Sequence, residues 1–172
     1  GTQGTMVCEA VPAPNVPGAS ITDVNVSLGV AHTWAGDLVF KVFPPGGGTP
    51  VTLMSRPGFA EPADDGTSCC GNSGDLLSAN ILTFNDQGGF PSAETIAAVN
   101  PQAAGSFTPN AGAATPGLLA AFNGLPANGG NFMVCVGDSG AADVGQLCSA
   151  TMAFTTGVSG DLSITKNAPS GV

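Results

Sequence analysis

The clearest regular pattern in the chain is an alternation of apolar and polar residues over 21–32. The apolar positions lie two residues apart and are occupied by Val24, Val26, Leu28 and Val30. A period of two places such side chains on one face of a β-strand. We therefore predict a strand over 21–32 with one face buried in a core.

The remaining apolar segments are short and are separated by residues typical of turns. The segments 38–43 and 51–54 flank the run Pro-Pro-Gly-Gly-Gly at 44–48, which predicts a β-hairpin. Shorter strands are predicted at 81–84 and near Phe107, and a last hairpin over 132–155. Helical turns are predicted within 92–99 and 118–122. This pattern predicts an all-β fold, an antiparallel β-sandwich or jelly roll with long loops and at most short helical turns.

Composition and charge exclude several classes of protein. The 172 residues suit one domain, and 26 Gly with 14 Pro interrupt the chain too often for a coiled coil. Three Lys and Arg against twelve Asp and Glu give a net charge of −9, so nucleic acid is not an expected partner. No apolar run approaches the roughly 20 residues of a membrane span, so we expect no membrane insertion.

Five cysteines suggest an oxidising compartment and hence a secreted or cell-surface protein. Cys135 and Cys148 flank a turn-rich segment, and a hairpin centred on residues 141 and 142 would place them opposite each other. We predict a disulfide between them, with a bulge in the second strand to reconcile the apolar faces of the two strands. We expect Cys8 to pair with Cys69 or Cys70.

The most distinctive motif is H-T-x-x-G-D-L, which runs from His32 to Leu38 directly after the predicted strand. Together with the blocks at 44–56, 82–86, 120–130 and 132–154, it resembles the P domain of proprotein convertases, the P/Homo B family. The resemblance covers about residues 15–156 in order. It implies a jelly-roll module of a bacterial secreted protein. The chain departs from the family near Ala150, where a large aromatic residue is usual.

Calcium is the expected cofactor, because acidic residues lie at strand ends and in glycine-containing loops. Ca²⁺ takes six to eight oxygen ligands without strict geometry. The resemblance supports this expectation, since bacterial P domains can bind calcium in such loops. The alternative is ordinary turn chemistry, in which Asp bonds its own backbone. The favoured ligands are Asp37, Asp75 and Asp86, and the further candidates are Asn85, Asp138, Asp143, Asp64 and Asp65.

A serine hydrolase is a remote alternative. Gly137-Asp138-Ser139-Gly140 and His32 resemble the residues around the nucleophile and the base of trypsin-like proteases. Such chemistry requires His32 to accept the proton of Ser139. However, the second Gly after the serine is replaced by Ala141, and the same four residues suit a hairpin turn. A structural histidine at the end of a core strand is the favoured interpretation of His32, and no catalytic residue is predicted.

These observations predict a non-catalytic accessory module, residues 1–156, in a larger secreted or cell-surface protein. Its expected task is to stabilise or present neighbouring domains of the same polypeptide, with calcium as a structural cofactor. Residues 157–172 are expected to form a linker and the start of a following module. The alternative is an adhesion-type module that binds carbohydrate or protein, which would display an exposed aromatic patch.

Overall fold

The described part of the chain consists of β-strands joined by loops and short 3₁₀ turns. The computed structural model describes residues 5–59, 70–110 and 119–158. The strands are β1 (Val7–Pro12), β2 (Asn15–His32), β3 (Leu38–Phe43), β4 (Val51–Ser55), β5 (Leu82–Phe84), β6 (Gly105–Phe107), β7 (Pro126–Asn128), β8 (Asn131–Asp138) and β9 (Gly145–Val158). The 3₁₀ turns span Ala35–Asp37, Ala93–Thr95 and Leu119–Phe122.

The strands form two sheets. The first has the order β1-β8-β3-β4 and is antiparallel throughout. The second has the order β6-β5-β2-β7, and in addition β9 pairs with β2. Its β5–β6 pair is parallel and its other pairs are antiparallel. The predicted all-β sandwich with long loops is confirmed.

The core lies between the two sheets and follows the predicted alternation. Val24, Val26, Leu28 and Val30 of β2 are each at most 3% exposed. Aromatic rings join the layers: Phe40 of β3 meets Phe84 of β5 edge to face, with ring centroids 6.1 Å apart. Edge-to-face contacts between aromatic rings stabilise a core beyond the burial of apolar area, and they do so only in specific geometries. The predicted β3–β4 hairpin is also confirmed.

The β2–β9 pair is the longest ladder among the described strands. It extends from Ala19, which pairs with Val158, to His32, which pairs with Gly145. Cys148 has no partner in this register, because Gly29 pairs with Ser149 and Val30 with Leu147, so β9 contains a bulge there. β9 continues two residues beyond the predicted boundary at 156.

The predicted last hairpin is wrong, and with it the Cys135–Cys148 disulfide. β8 belongs to the first sheet and β9 to the second, so the connection between them crosses the sandwich. Cys135 is bonded to Cys8, its register partner on β1, and Cys148 is a free, exposed thiol. β8 and β9 bury their apolar residues from opposite sheets. The apolar residues of the two strands therefore do not lie on one face of a single hairpin.

The prediction that Cys8 pairs with Cys69 or Cys70 is therefore also wrong. β1 is an edge strand that contacts β8 directly, and the Cα atoms of Cys8 and Cys135 are 4.1 Å apart. Cys70 is itself disulfide-bonded, and Cys69 lies outside the described residues.

The helical turns are shorter than the segments in which they were predicted. Within 92–99 a 3₁₀ turn covers Ala93–Thr95, and the Ser92 hydroxyl caps it by accepting a hydrogen bond from the Glu94 N–H. Within 118–122 the turn is Leu119–Phe122. In the described ranges, no helix combines the length and apolar character needed to span a bilayer.

Candidate functional site

Three carboxylates from separate parts of the sequence come together at one end of the sandwich. Asp37 ends the 3₁₀ turn after β2, Asp138 is the last residue of β8, and Asp143 lies in the connection to β9. Leu38 pairs with Asp138, and the Ser139 N–H donates to the Asp37 carbonyl at 2.8 Å. We call Asp37, Asp138 and Asp143 the acidic cluster.

The segment 71–76 fixes the turn that carries Asp37. The Gly36 N–H donates to the Asn72 carbonyl at 2.9 Å, and the Gly71 N–H donates to the Gly36 carbonyl at 2.8 Å. A Cβ on Gly36 would collide with the backbone of Gly71 and Asn72. The close approach of the two backbones therefore requires glycine at position 36 and holds the turn in one conformation.

Asp37 is buried in a way that leaves its charge poorly compensated. The residue is 2% exposed, and its Oδ1 has no hydrogen-bond partner within the described residues. The turn after β8 encloses the carboxylate so closely that a Cβ on Gly140 would collide with the Asp37 Oδ2. Burial, with smaller contributions from Asp138 and Asp143, raises the pKa of Asp37, and His32 opposes this effect.

His32 is held by hydrogen bonds at both ring nitrogens. The Trp34 N–H donates to Nδ1 at 3.0 Å, and Nε2 lies 3.3 Å from the Asp138 Oδ2. Because Nδ1 accepts a hydrogen bond, the ring hydrogen is on Nε2 and is donated to Asp138. The buried imidazole therefore orients the Asp138 carboxylate.

This arrangement does not favour the hydrolase alternative. A general base needs a free ring nitrogen within reach of the serine hydroxyl. In the described structure both nitrogens of His32 have other partners, and no hydrogen bond joins the ring to Ser139. The Ser139 backbone instead contributes to the turn around Asp37.

The favoured calcium ligands are not brought together. Asp75 lies beside the bridge between His32 and Leu76 and lines a groove there of about 430 Å³. Asp86 follows β5, whose last residue Phe84 pairs with Val26 in the middle of β2, and its Oδ2 accepts a hydrogen bond from the Ala120 N–H at 2.7 Å. Asn85 accepts from the Gln87 N–H and so makes a local turn. Asp64 and Asp65 lie outside the described residues.

The acidic cluster supplies oxygen ligands but does not form a complete metal centre by itself. Among the described residues no group of three or more His, Cys, Asp or Glu side chains is arranged to hold a metal ion. The cluster nevertheless combines an unpartnered buried oxygen with two carboxylates nearer the surface. These are hard donors of the kind that Ca²⁺ prefers, and main-chain carbonyls or water would have to complete the shell.

Sequence reasoning missed how the cluster is assembled. It favoured Asp37 but named Asp138 and Asp143 only as further candidates, and it gave no role to Thr33, whose hydroxyl donates to the Asp143 Oδ1 at 2.7 Å. The sequence carries no local signal for this assembly, because it depends on the antiparallel pairing of β3 with β8, which brings these residues together.

Comparisons of the chain with protein-family models, with curated proteins and with solved structures find no match in any of the three.

Proposed function

We propose that this chain is a non-catalytic accessory module of a larger secreted or cell-surface protein, which separates and presents neighbouring domains. The observation that carries the proposal is the position of the first and last described strands. Thr5 and Val7 line a cleft together with Val30, near one end of β2, whereas Val158 pairs with Ala19 near the other end.

The distance between these two points is set by the β2–β9 ladder. From Ala19 to Val30 the strand rises by about 36 Å at the usual spacing of an extended chain. β1 therefore begins near one end of the sandwich, and β9 ends near the other. A module of this geometry acts as a spacer in a linear array, and the predicted P-domain resemblance agrees with an accessory role.

The Cys8–Cys135 disulfide is compatible with an extracytoplasmic location. The bond joins an edge strand to its neighbour, and structural disulfides of this kind persist where the surroundings are oxidising. We take this as support for export of the parent protein.

The alternative, an adhesion-type module that binds carbohydrate or protein, finds less support. Within the described residues, which include the one Trp and all nine Phe, Phe90 is the sole aromatic among the exposed large apolar residues, at 36%. A flat aromatic platform for sugar rings needs more than one such side chain. The groove beside Asp75 is walled by Leu77 and Val144, and its described lining includes neither Phe nor Trp.

A distance measurement tests the spacer geometry. Spin labels on Thr5→Cys and Val158→Cys, in a Cys148→Ser background, should give one narrow distribution centred at about 35–45 Å. The matched control pair, Asn123→Cys with Val158→Cys, lies on one surface and should give a distance below about 20 Å. A short or broad distribution for the first pair would overturn the proposal.

A second measurement tests the accessory role in the parent polypeptide. Replacing residues 7–158 by a Gly/Ser linker of equal length substitutes a flexible coil for a folded spacer. The neighbouring domains should then melt at a lower temperature or show a broader distribution of separations. If both quantities are unchanged, the module neither stabilises nor positions its neighbours.

A further inference from the structure

Strand β9 leaves one edge of the second sheet open. Among the described strands β9 pairs with β2 alone, so the main-chain N–H and C=O groups on its other edge have no ladder partner within the described residues. The strand is 14 residues long and contains neither a charged residue nor a proline. An exposed edge of this kind is a template for pairing with another strand.

The other terminal strands are protected in the ways that natural sheets use. β6 and β7 are each three residues long, and β7 begins with Pro126. β1 contains Glu9 and ends with Pro12. β4 is covered, because the Leu53 carbonyl accepts a hydrogen bond from the Asn110 N–H at 2.9 Å. Short strands, proline, charge and coverage all hinder the addition of a strand. Of the described edges, β9 is therefore the one that is long, uncharged and unpaired.

The regular part of this edge is the segment 149–157. The bulge of β9 lies at Cys148, near the beginning of the strand. Beyond it, the residues from Ser149 to Val158 pair with β2 in unbroken succession, since the extra residue at the second irregularity is Thr22 of β2. The main chain of 149–157 is therefore regular enough to accept a further strand along its whole length.

We propose that this edge pairs antiparallel with the same edge of a second copy of the chain, with the two-fold axis at Ala153. This register places Met152 opposite Phe154 of the second copy, on the face that packs partly buried against the core. On the exposed face it places Thr151 opposite Thr155 of the second copy. Cross-strand pairs of threonines and contacts between a methionine and an aromatic ring both stabilise a sheet.

Self-complementarity is what favours a second copy over an unrelated strand. In a two-fold contact the same patch of both chains must fit itself, and in this register no charged side chain of β9 faces another. Because the described strands offer one such edge per chain, the pairing closes at a dimer and does not propagate. The segment 149–157 is about 27 Å long, which makes a small contact of the weak class. The pairing does not depend on the spacer role.

Charge opposes this association. Each chain has a net charge of −9, and Asp23 of β2 and Glu9 of β1 lie on strands that contact β9. Salt screens the repulsion between two acidic chains, so raising NaCl from about 50 mM to about 500 mM should strengthen the dimer. A dimer that weakens as salt is added would depend on ion pairs, and that result would overturn the proposed contact.

Sedimentation equilibrium of the purified chain measures the association. In a Cys148→Ser background, which lacks the exposed thiol, a monomer–dimer equilibrium is expected at concentrations up to about 500 μM. Ala153→Glu places like charges together at the axis and should lower the association constant at least about tenfold. The matched control Ala104→Glu adds the same charge at an exposed position beside β6 and should change it by less than about twofold. A chain that stays monomeric, or a dimer that Ala153→Glu leaves intact, would overturn the proposal.

Oxidative cross-linking tests the register and needs no charged variant. In the same Cys148→Ser background, Ala153→Cys brings two thiols opposite each other, with Cα atoms about 5 Å apart, and mild oxidation should join the two chains. In Thr155→Cys the two thiols are about 14 Å apart, too far for a disulfide. A mixture of Thr151→Cys and Thr155→Cys chains should cross-link, because these positions face each other. Equal cross-linking of Ala153→Cys alone and Thr155→Cys alone would contradict the register and overturn the proposal.

Discussion

At the residue scale, Asp37 shows how a buried charge affects the stability of the fold. Its carboxylate lies beside two other carboxylates, and burial raises its pKa above the ordinary value of 3.8. A group that holds its proton more tightly in the folded than in the unfolded chain destabilises the fold when it ionises. In the absence of a bound cation, this cost is fully present above the raised pKa and disappears below 3.8.

The first prediction follows from that sign. In EDTA at pH 7.5, Asp37→Asn should melt at a higher temperature than the wild type, because Asn carries no charge. The difference should shrink as the pH falls through the raised pKa, since Asp37 then becomes protonated in the folded chain. Melting curves of both proteins between pH 7.5 and 4 measure this. A wild type that melts above Asp37→Asn at neutral pH would contradict it.

The second prediction concerns Phe132, whose ring bridges the two sheets. Phe132 is fully buried on β8, and its ring centroid lies 5.2 Å from that of Phe122 and 5.3 Å from that of Phe154 on β9. Phe132→Ala should lower the free energy of unfolding by about 3–5 kcal/mol through lost burial and the cavity left behind. Phe90→Ala, at the surface, should cost less than about 1 kcal/mol. Urea denaturation of both variants gives the comparison.

At the scale of elements, the disulfide bond to β8 stabilises the position of the edge strand β1 in its sheet. In the described sheet β1 pairs with β8 alone, and Cys8–Cys135 joins the two strands across a sequence separation of 127 residues. The double change Cys8→Ser with Cys135→Ser should lower the free energy of unfolding by about 2–5 kcal/mol. Cys148→Ser, which removes an exposed thiol, should change it by less than about 0.5 kcal/mol. Guanidinium denaturation under non-reducing conditions separates the two outcomes.

The strands that the sequence predicts best are those with a local signal. The alternation over 21–32 identified most of β2, and the glycine-rich turn at 44–48 identified the β3–β4 hairpin. By contrast, β1 and β7 have no clear alternation and were not predicted. A short strand without a periodic pattern cannot be distinguished from a loop by local reasoning alone.

The pairing of β8 and β9 could not be derived from their spacing. Periodicity reports which residues face the core, but it does not report which sheet a strand joins. With Cys135 opposite Cys148, the apolar residues of the two strands would face opposite sides, and the predicted bulge in the second strand serves to reconcile them. β9 does contain a bulge at Cys148, but the strand opposite this bulge is β2. The apolar residues of β8 and β9 face different ways because the two strands belong to different sheets.

At the scale of the whole molecule, the acidic cluster depends on the topology. The sequence alone favours Asp37, Asp75 and Asp86 equally, as dispersed carboxylates in loops. Only the register of β3 against β8 selects Asp138 and its turn as the neighbours of Asp37. A net charge of −9 predicts affinity for cations in general, and the fold determines where three of the charges meet.

The Cys8–Cys135 bond also determines how the module would carry tension. A force applied between residues 5 and 158 would pass along β1 to Cys8, cross the bond to Cys135, and continue through the end of β8 to β9. The 127-residue loop between the cysteines lies outside this load path. Under oxidising conditions, unfolding in an atomic-force experiment should therefore lengthen the module by only about 50 Å, from its folded separation to a contour of about 90 Å, and reduction should add about 430 Å. The bond would thus act as a limit on how far the spacer can be stretched.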